Sequence, residues 1–204
     1  MLALLDFGLG NLKSIQNGFR HLGHEAVITR DPDMIRDANG LIIPGVGAFR
    51  DGMDRLRQHR LVPVIEEALS QAKPILGICL GLQLLFSESE EFGLHKGLGM
   101  MEGRVNAFTG ALKIPHMGWN TVHITRRIPL LEGIGEGEYF YFVHSFFAVP
   151  EEEGVVAGET EYGITFPSVV QKGTLMATQF HPEKSSHAGL RILDNFAQMA
   201  ARRA

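Results

Sequence analysis

One cysteine in 204 residues is the first constraint: Cys79 cannot close a disulfide within the chain. Secreted proteins tend to pair their cysteines, so a lone thiol fits a reducing, cytoplasmic compartment. No run of about 18 apolar residues occurs, which excludes a membrane-spanning helix. The N-terminus, Met1-Leu2-Ala3-Leu4-Leu5-Asp6, lacks a basic lead and meets an acid at once, so it reads as a buried strand and not as a signal peptide. Basic residues are few and scattered, 19 against 23 acids for a net charge of -4, and the tightest cluster is Arg202-Arg203. Binding to nucleic acid, which needs a concentrated basic surface, is therefore not expected.

Three further signatures are incomplete. Gly8-Leu9-Gly10 follows the first strand, but the third glycine of a dinucleotide fingerprint would fall at Lys13. His21 and His24 have no accompanying cysteine or histidine cluster, so no metal site is expected. A phosphate loop is missing, and no cofactor is called for.

What is present alternates. Leu2 to Leu5, Ala26 to Thr29, Leu41 to Ile43 and Pro74 to Ile78 are short apolar runs that predict strands. Leu12 to Leu22 repeats apolar residues at helical spacing. Arg50 to Leu69 predicts helix with a break around Pro63, and Leu80 to Phe86 predicts another helix. After Ser87 the pattern changes to strands at Val105–Phe108, Thr121–Thr125, Tyr139–Ala148, Val155–Thr160, Thr165–Val170 and Leu175–Phe180. A helix from Ser186 to Ala200, with Leu190, Leu193 and Ala197 on one face, closes the chain, and Glu151-Glu152-Glu153 is a solvated turn. The expectation is an α/β fold: one open, mostly parallel sheet flanked by helices, with antiparallel strands added to it, all in a single domain over residues 1–204.

Gly77-Ile78-Cys79-Leu80-Gly81 lies between an apolar strand and an apolar helix. That is the strand–nucleophile–helix elbow with cysteine in place of serine. The sharp turn exposes the sulfur, flanking glycines leave room for it, and the helix N-terminus favours thiolate. The Leu80 amide would face an oxyanion on the attacked carbonyl. Gln179-Phe180-His181-Pro182-Glu183 ends the last strand. In extended chain, residues two apart share a side, so His181 could address the sulfur while Glu183 orients the imidazole.

Pro44-Gly45-Val46-Gly47, the elbow through Leu82-Gln83, and His181-Pro182-Glu183 together resemble the class I (triad) glutamine amidotransferases. Finer segments are similar to one branch, the glutaminase subunits of imidazole glycerol phosphate synthase in histidine biosynthesis. They are Asp6-Phe7-Gly8-Leu9-Gly10-Asn11, Pro115-His116-Met117-Gly118-Trp119-Asn120, Tyr141-Phe142-Val143-His144-Ser145 and His181 through Lys184-Ser185-Ser186. The likeness covers essentially the whole chain.

The resemblance implies that Cys79 attacks the side-chain amide of glutamine, that His181 moves the proton, and that Glu183 orients His181. It implies Val46 or Gly47 as the second oxyanion donor beside Leu80. Gln83, His144, Ser145 and Phe146 would hold glutamine, and Glu91 would pair its ammonium group. It further implies a (β/α)8-barrel cyclase partner in a heterodimer, met by Asn11, Trp119, Tyr141 and Lys184, because ammonia released to water would be protonated and lost. Two alternatives stay open: the same chemistry feeding anthranilate or pyridoxal phosphate synthase, and a non-catalytic partner module that keeps the fold.

Overall fold

The computed structural model describes residues 1–110 and 113–202, so Arg203 of the basic C-terminal pair lies outside the described residues. In chain order the elements are β1 (Leu2–Leu5), α1 (Leu12–His21), β2 (Ala26–Thr29), α2 (Pro32–Asp37), β3 (Gly40–Ile43), α3 (Phe49–Gln58), α4 (Val62–Ser70), β4 (Ile75–Ile78) and α5 (Leu80–Leu84). There follow β5 (Phe86–Ser89), β6 (His95–Lys96), β7 (Met101–Ala107), β8 (His116–Thr121), β9 (His123–Ile124), β10 (Tyr139–His144), β11 (Phe146–Pro150), β12 (Val156–Glu161), β13 (Thr165–Lys172), β14 (Leu175–Thr178) and α6 (Ser186–Ala201). Short 3-10 turns cover Pro129–Leu131 and Pro182–Lys184.

The main sheet has eight strands in the order β2-β1-β3-β4-β14-β13-β12-β9. From β2 to β14 every pairing is parallel; β13, β12 and β9 are added antiparallel. In the parallel part β1, β3, β4 and β14 are buried along their length, because helices cover both faces, while the edge strand β2 is half-buried at Val27 and Ile28. Side-chain alternation divides the core accordingly. Leu2 and Leu4 pack on one side with Phe19 of α1 and Phe196 of α6, while Ala3 and Leu5 pack on the other with Met53 of α3 and Ile65 of α4.

The predicted α/β plan holds, with local corrections. The helix break in 50–69 falls at His59–Leu61, where Arg60 has a φ of 56°, and Pro63 sits in the first turn of α4, where its missing N–H costs nothing. Helix α5 stops at Leu84, and Phe86 begins a strand instead of ending the helix. Tyr139–Ala148 is two strands, not one: β10 pairs with β8 in a two-stranded sheet, and β11 joins β7, β5 and β6 in a four-stranded one. The added strands therefore build two satellite sheets as well as extending the main one. Thr121–Thr125 likewise divides, and β14, grouped with the antiparallel additions, is parallel to β4.

Three ends of adjacent parallel strands supply the loops that matter here. β3 runs into Pro44–Gly47, β4 into Cys79, and β14 into Gln179–His181. Carboxyl ends of neighbouring parallel strands form the crevice of an open α/β sheet. The elbow after β4 tolerates no side chain behind it: a Cβ on Gly81 would lie within 1.9 Å of the Ile43 carbonyl oxygen. Gly81→Ala is accordingly expected to lower stability by about 3 kcal/mol, as overpacking against rigid backbone does. Urea unfolding checks this, and an unchanged midpoint would overturn the packing argument.

Candidate active site

Cys79 stands between β4 and α5 with φ 53° and ψ -105°, a strained conformation for a residue with a side chain. Cys79 lines a cavity of about 450 Å³ together with Val46, Gly47, Leu80, Gln83, Glu91, His144, Ser145 and Phe146. Every residue named from sequence for the oxyanion or for glutamine thus meets at one opening. The strained turn aims the sulfur outward; helix α5, of five residues, is too short to contribute a strong dipole.

His181 and Glu183 are almost fully buried, with Nδ1 donating to Glu183 Oε1 at 2.9 Å. They do not meet through strand alternation. His181 is extended, and the 3-10 turn Pro182–Lys184 swings Glu183 back toward the ring. Burial opposes charge on the imidazole, but the adjacent sulfur and Glu183 outweigh it and raise the His181 pKa to about 10. Its Nε2 has no hydrogen-bond partner among the described residues. The sulfur instead approaches the Val143 carbonyl at 3.8 Å and receives Gln179 Nε2 at 3.7 Å.

Ser185, which the sequence offered only as part of a branch signature, fastens this corner. Its hydroxyl donates to the His181 carbonyl at 2.6 Å and accepts the Tyr141 amide at 2.9 Å, while the His181 amide donates to the Tyr141 carbonyl. The histidine is tied to β10 on both sides. No single-sequence pattern announces such a knot, because it joins residues 44 apart in the chain.

Two of the expected roles are modified. The Leu80 amide donates to the Gly45 carbonyl at 3.4 Å, so it is not free for an oxyanion in this conformation. Gln83 is committed through its nitrogen, which donates to the Phe146 carbonyl at 2.9 Å and to Gln179 Oε1 at 3.2 Å, leaving only its own oxygen for a ligand. Glu91 faces the cavity and accepts the Phe49 amide at 2.6 Å, which caps α3.

Behind the cavity lies a pair of buried histidines. His144 Nδ1 donates to the Phe146 carbonyl, and since a carbonyl only accepts, His144 Nε2 is left to accept from His116 Nδ1 at 3.0 Å. Asn120 Nδ2 donates to His116 Nε2 at 3.3 Å, and Tyr162 and Phe142 stack on the His116 ring. Burial lowers the pKa of His116 to about 4 and that of His144 to about 3. Both folded values lie below the unfolded one near 6.5, so unfolding takes up protons as pH falls. The stability they contribute is present above pH 6.5 and is lost toward pH 4. Unfolding free energy at pH 5 is expected to be about 3 kcal/mol below that at pH 7, with about half the difference gone in His116→Asn. Equal denaturant midpoints at the two pH values would overturn the assignment.

The outward face of β8 and β10 carries Met117, Trp119 and Tyr139, each more than half exposed. Trp119 meets the Tyr141 ring edge-on at 6.1 Å, and Lys184 Nζ lies 5.7 Å from that ring. Trp119 is therefore not a core residue. Asn11 is exposed and caps α1, whose neighbour is the Pro182–Lys184 turn.

Fold and site define a class of α/β proteins that hold a cysteine, a histidine and a carboxylate at adjoining strand ends of an open sheet. The family of class-I glutamine amidotransferases matches residues 3–200. Among solved structures, one described as a glutamine amidotransferase superposes with a TM-score of 0.76 at 21% identity over 98% of both chains. PurLQS from Thermotoga maritima gives 0.78 at 16% identity over 97% of both. Nearer in sequence is the imidazole glycerol phosphate synthase subunit HisH of Syntrophotalea carbinolica, 50% identical over 98% of this chain and 100% of that one. The same subunit of Geobacter metallireducens is 49% identical over 96% and 97%. The chain belongs to the class-I glutamine amidotransferase family and, within it, to the HisH subunits of imidazole glycerol phosphate synthase. No helix among the described residues is long and apolar enough to cross a membrane.

Proposed function

We propose that this chain is the glutaminase subunit of imidazole glycerol phosphate synthase, hydrolysing glutamine to glutamate and ammonia at Cys79. The observation that carries the reading is the elbow cysteine at one strand end with the buried His181–Glu183 pair, 2.9 Å apart, at the next. The thiolate attacks the side-chain amide carbon, and the electron pair moves to oxygen, where the Leu80 amide and a donor from Val46 or Gly47 meet it. Imidazolium His181 gives its proton to the amide nitrogen as the C–N bond breaks, so ammonia leaves and a glutamyl thioester remains. Water then attacks the thioester as His181 takes its proton, and glutamate leaves as the thiolate re-forms. Glu183 keeps the imidazole in the required tautomer. His144, Ser145, Phe146 and the free oxygen of Gln83 contact the amino-acid end, with Glu91 facing its ammonium group.

Ammonia has to reach its consumer before protonation, which argues for a partner seated over the site. In this reading the partner is a (β/α)8-barrel cyclase subunit that uses the ammonia to make imidazole glycerol phosphate and AICAR in histidine biosynthesis, and the two form a heterodimer. The aromatic face of Trp119 and Tyr141, flanked by Lys184 and Asn11, suits such docking: Val143 of the same strand places its carbonyl against the Cys79 sulfur. Glutamate release from glutamine, with and without the cyclase and its nucleotide ligand, tests the reading. Activity that needs the cyclase supports it; activity indifferent to the cyclase would move the chain to another amidotransferase, and none under any condition would make it a non-catalytic module.

A further inference from the structure

We infer that Gln179 is a further catalytic residue of this site, donating a side-chain N–H to the Cys79 sulfur and favouring the thiolate over the thiol. The inference rests on the glutaminase reading above and deepens it. An amide side chain can present either its nitrogen or its oxygen, so the direction has to be argued from its neighbours. The Phe146 carbonyl can only accept, and it fixes Gln83 with its nitrogen inward at 2.9 Å. The second hydrogen on that nitrogen goes to Gln179, 3.2 Å away, which must therefore offer its oxygen there. The Gln179 nitrogen is left facing the sulfur at 3.7 Å. One backbone carbonyl thus orients two glutamines in series, and the last of them meets the reacting atom.

Gln179 is completely buried and takes no part in lining the cavity. It reaches the sulfur from behind and not as a contact for glutamine. Its effect grows with charge. In the neutral state the thiol hydrogen is directed at the Val143 carbonyl, 3.8 Å from the sulfur. Once the proton has passed to His181, that carbonyl repels the sulfur. The Gln179 N–H then stays as a fixed donor, and hydrogen bonds to ionised groups are the stronger kind. The titratable groups around the sulfur are His181, with Glu183 behind it, His144 from β10, and Glu91 across the cavity. His181 and Glu183 act through the proton acceptor; Gln179 acts on the sulfur itself.

Because Cys79 is the only cysteine, alkylation by iodoacetamide reports this sulfur alone. In Gln179→Met, which keeps length and removes the donor, alkylation at pH 7 is expected to fall about tenfold. The pH midpoint of alkylation is expected to move up by about one unit. Glutaminase kcat in the complex with the cyclase should fall about tenfold while KM stays within about twofold, as for a group that touches sulfur and not substrate. Gln179→Glu, with a like charge beside the thiolate, should exceed both losses. A folded Gln179→Met with alkylation midpoint and kcat within about twofold of wild type would overturn the inference.

If neither variant folds, the wild-type chain still decides. The side-chain amide protons of Gln179, followed by NMR, should shift as Cys79 is deprotonated and lose that response in Cys79→Ala; signals indifferent to the thiol would overturn the inference. A midpoint that moves as expected in a chain that releases no glutamate would support the contact while removing the glutaminase reading.

Discussion

Replacing Cys79 with alanine is expected to abolish glutamine hydrolysis, lowering kcat on the order of 10⁵-fold in the complex. The residual rate reflects what remains when a nucleophile is deleted: a bound substrate and oxyanion donors with nothing to attack. No other cysteine exists to substitute for it, and neither His181 nor Glu183 can form the thioester. The fold should survive, because the hydrogen bonds of the sulfur, to the Val143 carbonyl and from the Gln179 amide, are long and weak. Calorimetry should accordingly show glutamine binding retained within about threefold. Glutamate release above a tenth of the wild-type rate, in a folded and glutamine-binding Cys79→Ala, would remove Cys79 from the mechanism.

The isolated chain should turn over glutamine about 10² to 10³ times more slowly than the chain docked to its cyclase, a factor matching the loss of one oxyanion donor. In this conformation the Gly45 carbonyl points at the Leu80 amide. A trans peptide holds its C=O and N–H antiparallel, so the Val46 amide points the other way. In the proposed mechanism an acceptor thus occupies the place where a negatively charged oxygen would develop. Rotation of the peptide would withdraw that oxygen, release Leu80, and bring a second N–H inward. The glycines around Val46 make rotation cheap, and Gly47 already has a φ of 114°. Since an oxyanion donor acts on the transition state, docking should raise kcat and leave KM within about threefold. Equal kcat for the isolated and docked chains would show that the hole is preformed. It would leave the triad assignment untouched.

Much of this was legible because it is written in short range. Helix α1 follows from the spacing of Leu12, Ile15 and Phe19, and the elbow follows from glycines placed two before and two after Cys79. What escaped is long range. The division of Tyr139–Ala148 at Ser145 is marked in the sequence only by the polar pair His144-Ser145, since it depends on β8 and β7 pairing with successive halves. The short helix α2, six residues behind its Asp31 cap, is too brief to show a period. Glu183 reaches His181 by a turn that Pro182 initiates, where alternation along a strand gave the right pair for the wrong geometric reason.

By itself the sequence determined the class of fold, the elbow that carries the cysteine proposed as nucleophile, and the residues that gather around it. Those features are local: a period, a strained turn that only glycine neighbours permit, a proline that fixes the chain. Tertiary structure alone decided their states. It set the direction of the Leu80 and Gly45 peptides, the neutrality of His116 and His144, and the hydrogen bond from Gln179 to the sulfur. Each depends on burial and on partners brought from distant strands, and neither burial nor a partner's orientation is encoded at any single position.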